Sequence, residues 1–248
     1  MPYLSRVRIN PLRKQSRDLL TNPRVMHSHV CAAIPAAPDT ERLLWRLDTD
    51  NPHRPHLIAL TRSKPDWTHL VEAAGWPEAE GDHCTVADYS PLLAQLAVGR
   101  EFNFRLTANP VQNTSRPIQP TATQAEHIRN GSRRSFRIGH RTAAAQLDWL
   151  LRRTSKHGFE ILPARTDPGL PDPDDGATSP APDIRITHRD RIAFSKQGRG
   201  QVVLHTVTFQ GHLRVTDTDL LARALLHGIG PAKAYGCGLL TLAPRSGR

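Results

Sequence analysis

The sequence predicts an α+β protein built from two tandem ferredoxin-like (RRM-like) βαββαβ domains. Two observations carry that reading. Apolar and polar residues alternate over 3–9 and again over 101–108, and each of these strand patterns stops at an Asn-Pro pair, Asn10-Pro11 and Asn109-Pro110. After each such strand the remaining signals come in the same order: helix, two strands, helix, strand. The predicted division is an N-terminal domain over 1–90, a linker over 91–99, and a C-terminal domain over 100–248 that carries a basic hairpin and a Gly-rich tail.

The elements follow in chain order. In the first strand Tyr3, Ser5, Val7 and Ile9 share one face, and Leu4, Arg6 and Arg8 share a basic opposite face. A basic stretch, Arg13-Lys14-Gln15-Ser16-Arg17, leads to Asn22-Pro23, a capping Asn and a first-turn Pro, so a helix is expected over 23–33. Pro35 and Pro38 end it. Strands are expected at 43–47 and 57–60, separated by a turn rich in Asp, Asn and Pro. Asp66 opens a second helix over 67–74, and a fourth strand over 84–87 completes the unit.

In the second half a strong strand covers 101–108. The polar segment 111–140 is expected to be a long, partly mobile loop. A helix over 142–157 follows, with Ala145, Leu147, Leu150 and Leu151 facing inward and Gly158 as its cap. A short strand at 159–162 precedes a Pro- and Asp-rich insert, 165–183, which is expected to be solvated and without structure. Strands at 184–194 and 202–215 form a hairpin around a Ser-Lys-Gln-Gly-Arg-Gly turn. Asp217 caps a helix over 218–227, and a last strand ends near Leu242.

Charge narrows the function classes. The chain has 248 residues, 33 Lys and Arg against 23 Asp and Glu, and a net charge of +10. Of the basic residues 28 are Arg, whose planar guanidinium chelates phosphate and stacks on bases, so an anionic partner, foremost nucleic acid, is expected. A bias toward Arg codons is the plainer account of the same count. The composition excludes collagen, coiled coils and disulfide-rich miniproteins. Cys31, Cys84 and Cys237 lie far apart with no CxxC pair, which argues against a structural zinc site and fits a reducing compartment. No apolar run approaches the roughly 20 residues of a membrane helix, and the first residues lack the apolar core of a signal peptide. A cytoplasmic protein with no membrane partner, no metal and no cofactor is therefore expected. The spacing in Gly228-Ile229-Gly230-Pro231-Ala232-Lys233 is neither a Walker A loop nor a dinucleotide fingerprint.

Several blocks together identify a family. They are Tyr3-Leu4-Ser5-Arg6-Val7, Arg17-Asp18-Leu19, the helix with His27, Phe104-Arg105-Leu106-Thr107-Ala108-Asn109-Pro110, Thr208-Phe209-Gln210-Gly211, and the tail from Gly228 through Lys233 to Gly238-Leu239-Leu240. In these the chain resembles the CasE family, the CRISPR precursor-RNA endoribonucleases of the type I-E Cascade system, over nearly its whole length. The resemblance implies two ferredoxin-like domains and binding of the CRISPR repeat stem-loop. It also implies metal-independent cleavage at the 3′ base of the stem, leaving a 2′,3′-cyclic phosphate and a 5′-hydroxyl. The product-bound protein, monomeric when free, is expected to join other Cascade subunits.

The resemblance places the catalytic histidine at His27, in Asn22-Pro23-Arg24-Val25-Met26-His27. A His near its ordinary pKa suits proton transfer to and from the ribose and leaving oxygens. Arg24 lies at i−3 on the same helix face. Some relatives carry a Tyr there, so Arg24 is read either as a stabiliser of the developing charge or as a simple phosphate contact. His29, two residues on, points away from His27. For RNA binding the expected residues are Arg17, Arg133, Arg134, Arg137 and Arg141, then Arg189, Arg191, Ser195, Lys196 and Arg199 on the hairpin, and Gly230 and Lys233 in the tail. The tail is read as a loop packed between the domains that also touches RNA, or as a tight helix–strand junction. A non-cleaving RNA-hairpin-binding subunit is the alternative function, kept open by Arg24.

Overall fold

In the first half of the computed structural model, strand β1 (Tyr3–Arg8) is followed by helices α1 (Lys14–Thr21) and α2 (Pro23–Ala32), strands β2 (Leu44–Asp48) and β3 (His56–Thr61), helix α3 (Thr68–Ala74) and strand β4 (Cys84–Asp88). The structure describes residues 1–35, 41–77, 81, 83–115, 117, 120, 122–130, 135–164, 170–171, 178–195 and 201–245. These strands form one antiparallel sheet in the order β2-β3-β1-β4, the ferredoxin-like arrangement. Val7, Ile9, Trp45, Leu57 and Ala59 of the sheet close a core against Leu19, Met26, Val30 and Leu70 of the helices. The alternation read in β1 is thus realised, with Ser5, Val7 and Ile9 buried and Arg6 exposed.

One helix was not expected. The basic run at 13–17 carried no assigned element in the sequence reading, yet 14–21 forms α1. Ser16 and Leu19 lie one turn apart and are buried, while Lys14, Arg17 and Asp18 face out. Tertiary burial of two small contacts outweighs the segment's polar appearance.

A short helix, α4 (Ser90–Leu93), occupies the predicted connector and leads to β5 (Glu101–Ala108). The segment 111–140 is not a loop. It holds β6 (Val111–Thr114), α5 (Ala122–Arg129) and β7 (Phe136–Gly139), and β6 pairs with β7. Next come α6 (Ala143–Leu151), β8 (Phe159–Ile161), β9 (Leu170–Pro171), β10 (Thr178–Ser179), β11 (Ile184–Ser195), β12 (Gln201–Val215), α7 (Thr218–His227) and β13 (Leu240–Pro244). Helix α6 stops six residues short of the expected end. Gly158 instead closes a separate 3₁₀ turn at Ser155–His157, with φ of 74°. Its inward face also differs from expectation. Gln146, Trp149 and Leu150 are buried, whereas Ala145, Leu147 and Leu151 are only half-buried.

The second sheet runs β13-β5-β12-β11, with β8 also on β12. Strands β8 and β11 lie end to end along β12, at Leu213–Val215 and at 201–211. They are therefore the two halves of one ferredoxin-like second strand, interrupted by the Pro- and Asp-rich insert. Asp183 donates from its backbone N–H to Leu162 O at 2.7 Å, and Pro163 bridges Pro182, so the insert leaves and re-enters at one point. Within the insert, β9 and β10 pair, a small departure from the structureless expectation. Most of its other residues lie outside the described set.

The two sheets are joined by apolar and by charged contacts. Leu44, Leu60 and Tyr89, on the helix-free side of the first sheet, belong to the core built by Phe104, Trp149, Leu225 and Leu240 of the second half. Beside them Arg46 is only 3% exposed. It holds Asp48 in a two-pronged pair at 2.6 and 3.1 Å, and donates to Arg105 O at 3.2 Å, Leu239 O at 3.2 Å and Thr241 Oγ1 at 3.1 Å. Arg105 in turn bonds Asp50, and Asp50 lies 3.6 Å from His188 on β11. Removing Arg46 takes its two-pronged partner from Asp48, which keeps only Arg105 at 3.3 Å, and a donor from two carbonyls in the interface. Arg46→Leu is expected to cost about 3 kcal/mol of unfolding free energy, read from urea denaturation. A cost below about 1 kcal/mol, the scale of an exposed pair, would show that Arg46 does not fasten the sheets.

Candidate functional site

Helix α2 starts where the sequence places its caps. The Asn22 side chain accepts from the Arg24 N–H at 3.1 Å, and Pro23 occupies the first turn. Met26 and Val30 anchor the helix in the first core, which leaves Arg24 exposed and His27 half-buried on the outer side. Burial pushes the His27 pKa below its ordinary 6.5, so the imidazole is neutral at physiological pH. The Cys31 sulfur, one turn on, lies 3.7 Å from Nε2 and 3.9 Å from Nδ1. A sulfur close to both nitrogens packs on the ring without selecting a tautomer. His29 is turned elsewhere. Its ring stacks on His69 of α3 at 5.7 Å, and a ring nitrogen of His69 lies 3.1 Å from the His29 carbonyl.

The Gly-rich tail packs between the halves. Its 3₁₀ turn, Lys233–Tyr235, lies against α2 and β2. Gly236 has φ of 80°, and a side chain there would meet the Trp45 ring at 2.9 Å; at Gly230, φ 81°, one would meet Trp149 at 2.9 Å. Trp45 belongs to the first sheet and Trp149 to α6, so these glycines let the tail lie flat on both halves. The N–H of Gly228 goes to Ala224 O and that of Gly238 to Thr107 O, so these donors serve the fold rather than a phosphate. Lys233 is half-buried, and burial and then Arg42 lower its pKa. It makes no ion pair among the described residues.

A cleft of about 450 Å³ opens between the halves. Its lining includes Thr21 at the end of α1, Pro23 at the start of α2, Arg191 of β11, and Arg46, Arg105 and Tyr235. His27 does not line the cleft; it sits one turn beyond the rim residue Pro23. The ring of Tyr235 packs on Phe194 of β11 at 4.8 Å, which connects tail and hairpin.

The remaining expected residues separate into groups. Arg141, Arg189 and Arg191 converge on a second pocket of about 360 Å³, and Arg189 donates to the Arg141 carbonyl. Arg137 is exposed on β7, Arg17 on α1, and Ser195 at the end of β11. Arg133, Arg134, Lys196 and Arg199 lie outside the described residues. Among the described residues no three His, Cys, Asp or Glu side chains are placed to hold a metal ion. Among the described residues no helix is long and apolar enough to cross a membrane. Sequence reasoning passed over Gln146, which lines the second pocket; its one signal was a polar residue on the buried stripe of α6. The site as a whole offers a neutral imidazole and an exposed guanidinium on α2, whose first residue borders a cleft lined by Arg46, Arg105 and Arg191.

A family model described as CRISPR associated protein matches residues 2–244. The chain is 28% identical over 250 residues to the CRISPR-associated endoribonuclease Cse3 of Thermus thermophilus, covering 98% of this chain and all of that protein. It is 29% identical over 244 residues to the CRISPR system Cascade subunit CasE of Escherichia coli, covering 98% and 99% of the two. Its fold is similar to that of Thermus thermophilus Cse3 bound to an RNA representing a pre-cleavage complex, with a TM-score of 0.71, 27% identity and coverage of 98% and 99%.

The histidine environment fixes a pH dependence. His27, His29, His56, His157 and His227 are all held below 6.5, with burial as the largest cause in each. The unfolded chain therefore binds more protons than the folded one just below pH 6.5, and stability falls as pH drops through that range. Urea midpoints at pH 7.5 and 5.5 should show the lower value at 5.5. An unchanged midpoint would contradict the shifts.

Proposed function

The chain belongs to the CasE family of CRISPR-associated proteins, and on that footing we propose that it is an endoribonuclease that binds the CRISPR repeat stem-loop and cuts precursor RNA at the 3′ base of the stem. The observation that carries the reading is the placement of His27, neutral and half-buried beside exposed Arg24, on the helix whose start borders a basic cleft. Full-length similarity to an RNA-bound relative supports it.

The chemistry asks little beyond what α2 offers. The ribose 2′-OH attacks the adjacent phosphorus, its O–H proton leaves, and the bond to the 5′-oxygen breaks as that oxygen gains a proton. A 2′,3′-cyclic phosphate and a 5′-hydroxyl result, with no redox change. Neutral His27 is the group that takes or relays a proton, because its lowered pKa leaves a free nitrogen at pH 7. Arg24 carries a fixed positive charge on the same face and opposes the charge that builds on the phosphorane. Arg17, Arg137, Arg141, Arg189, Arg191, Ser195 and Lys233 supply the RNA contacts of this reading, with Arg133, Arg134, Lys196, Arg199 and the Gly230 backbone completing the set. Residues 1–90 form the domain with His27, and 100–248 the domain with hairpin and tail. The protein acts without a metal, in the cytoplasm, monomeric when free, and remains on the cut hairpin as a Cascade subunit.

Cleavage of the repeat hairpin in EDTA tests this directly. Wild type should cut, and His27→Ala should cut at least about 100-fold more slowly while binding the hairpin equally well. Binding should weaken steeply with salt because phosphates dominate it. Tight binding by wild type with no cutting would favour the hairpin-holding subunit instead. Equal cutting by both proteins would remove His27 from the mechanism.

A further inference from the structure

A further concentration of positive charge lies where the first sheet meets the end of α7, and none of its residues lines either basic pocket. Leu44 and Leu60 face each other across the β2–β3 ladder, on the helix-free side of the sheet. Period-2 alternation carries that face on to Arg42, two residues before Leu44, and to Arg62, two residues after Leu60. The end of α7 rests on the same place, since a Cβ at Gly228 would lie 2.7 Å from Leu44 Cδ2. His227 precedes that glycine, and Arg223 lies one turn back on the same helix face. Lys233 arrives with the tail turn that packs on β2 and α2.

Four separate chain segments thus bring five basic side chains to one junction. Arg42, Arg62, Arg223 and His227 are exposed, and Lys233 is half-buried. Among the described residues none of the five makes an ion pair or a side-chain hydrogen bond. After burial, the charges of Arg62, Arg42, Lys233 and Arg223 all hold the His227 pKa down, and Arg42 does the same to Lys233; no carboxylate of the described residues offsets them. Glu41, beside Arg42 in sequence, accepts instead from the backbone N–H groups of Arg62 and Ser63. The C-terminus of α7 carries about half a negative charge, which answers one cation and not four. Like charges gathered without a counter-charge oppose folding, so the cluster marks a place where an anion arrives. Guanidinium, ammonium and imidazole groups with no acceptor among them suit phosphate oxygens, and their spread along the junction suits a strand of phosphates. The tail turn that carries Lys233 also touches α2, so the junction borders the helix with His27.

We propose that this junction binds backbone phosphates of the single-stranded RNA that continues beyond the cut. The inference rests on the reading of the chain as an endoribonuclease of the repeat hairpin. It gives the uncut precursor a contact that the product lacks. The strand beyond the cut departs after cleavage, while the hairpin keeps its own contacts. Arg42, Arg62 and Arg223 are binding residues for the precursor in this account and have no part in the bond-breaking step.

The test uses the full-length protein and the repeat hairpin RNA of the same genome, with a 2′-deoxy sugar at the cut. That sugar lacks the attacking hydroxyl, so the RNA stays whole. One RNA ends at the base of the stem, and the other continues beyond the cut as a single strand of about eight nucleotides, an ordinary single-strand site size. Wild type should bind the extended RNA about 10-fold more tightly at low salt, with a steeper salt dependence. Arg42→Gln combined with Arg62→Gln should leave affinity for the bare hairpin unchanged and remove most of that preference. It should also lower the salt slope for the extended RNA by about 1.4, the value for two single-strand phosphates. Arg223→Gln, on a separate element, should lower the slope by about 0.7, and it decides the matter if the double variant does not fold. Equal binding of both RNAs by wild type overturns this inference and leaves the proposed function standing. So does a preference that the double variant and Arg223→Gln both retain, and so does an equal loss for both RNAs in the double variant. Failure of wild type to prefer the hairpin over unrelated RNA overturns the function itself.

Discussion

Arg46 sets the relation between the halves of the molecule. Its guanidinium is almost wholly removed from water, and each of its edges is matched: a carboxylate on its own strand, two carbonyls and a hydroxyl from β5 and β13. A guanidinium has five donors in a fixed plane, so few orientations of the second sheet satisfy it. The chain of charges continues through Asp48, Arg105 and Asp50 to His188, and reaches the hairpin strand. The opposite walls of the cleft are thereby held in register by directional bonds, where apolar contact alone would allow sliding.

The tail completes that arrangement. Strand β13 pairs with β5, and the preceding turn rests on Trp45 and α2. The helix that carries Arg24 and His27 is therefore supported from below by its own core and from the side by the end of the chain. Partial burial of its ring explains why His27 is neutral: fewer waters are left to stabilise a proton on it. The glycines there do a packing task, and the alternative of a junction without free N–H donors describes Gly228 and Gly238 best.

Much of this was legible in the sequence, and the reasons differ by element. Period-2 alternation located β1 and β5, since one face of each is buried and the other wet. Caps at Asn22, Thr142 and Asp217 located α2, α6 and α7, because a helix start has donors that need a side chain. Helix α1 and the elements within 111–140 escaped because their sequences are polar, and their order comes from contacts remote in the chain. His27 was legible only through the family blocks; as one of thirteen histidines it carries no local mark. Arg46 and Gln146 looked like interruptions in apolar patterns, and their partners lie on other elements. A single sequence cannot show that such a residue is buried with bonds to match, or buried with one bond left over.

The interrupted second strand has a consequence for how this fold tolerates change. Because the insert departs and returns within one hydrogen-bond step, at Leu162 and Asp183, the sheet does not register how much chain lies between. The entropy of closing such a loop grows only with the logarithm of its length, about 0.6 kcal/mol for each doubling. Every residue of the sheet would keep its neighbours if the insert were shortened, lengthened or replaced by a folded module. The edge of the second sheet is in that sense a socket, open to evolutionary or engineered additions made before β11 reaches the residues within 188–193 that line the cleft.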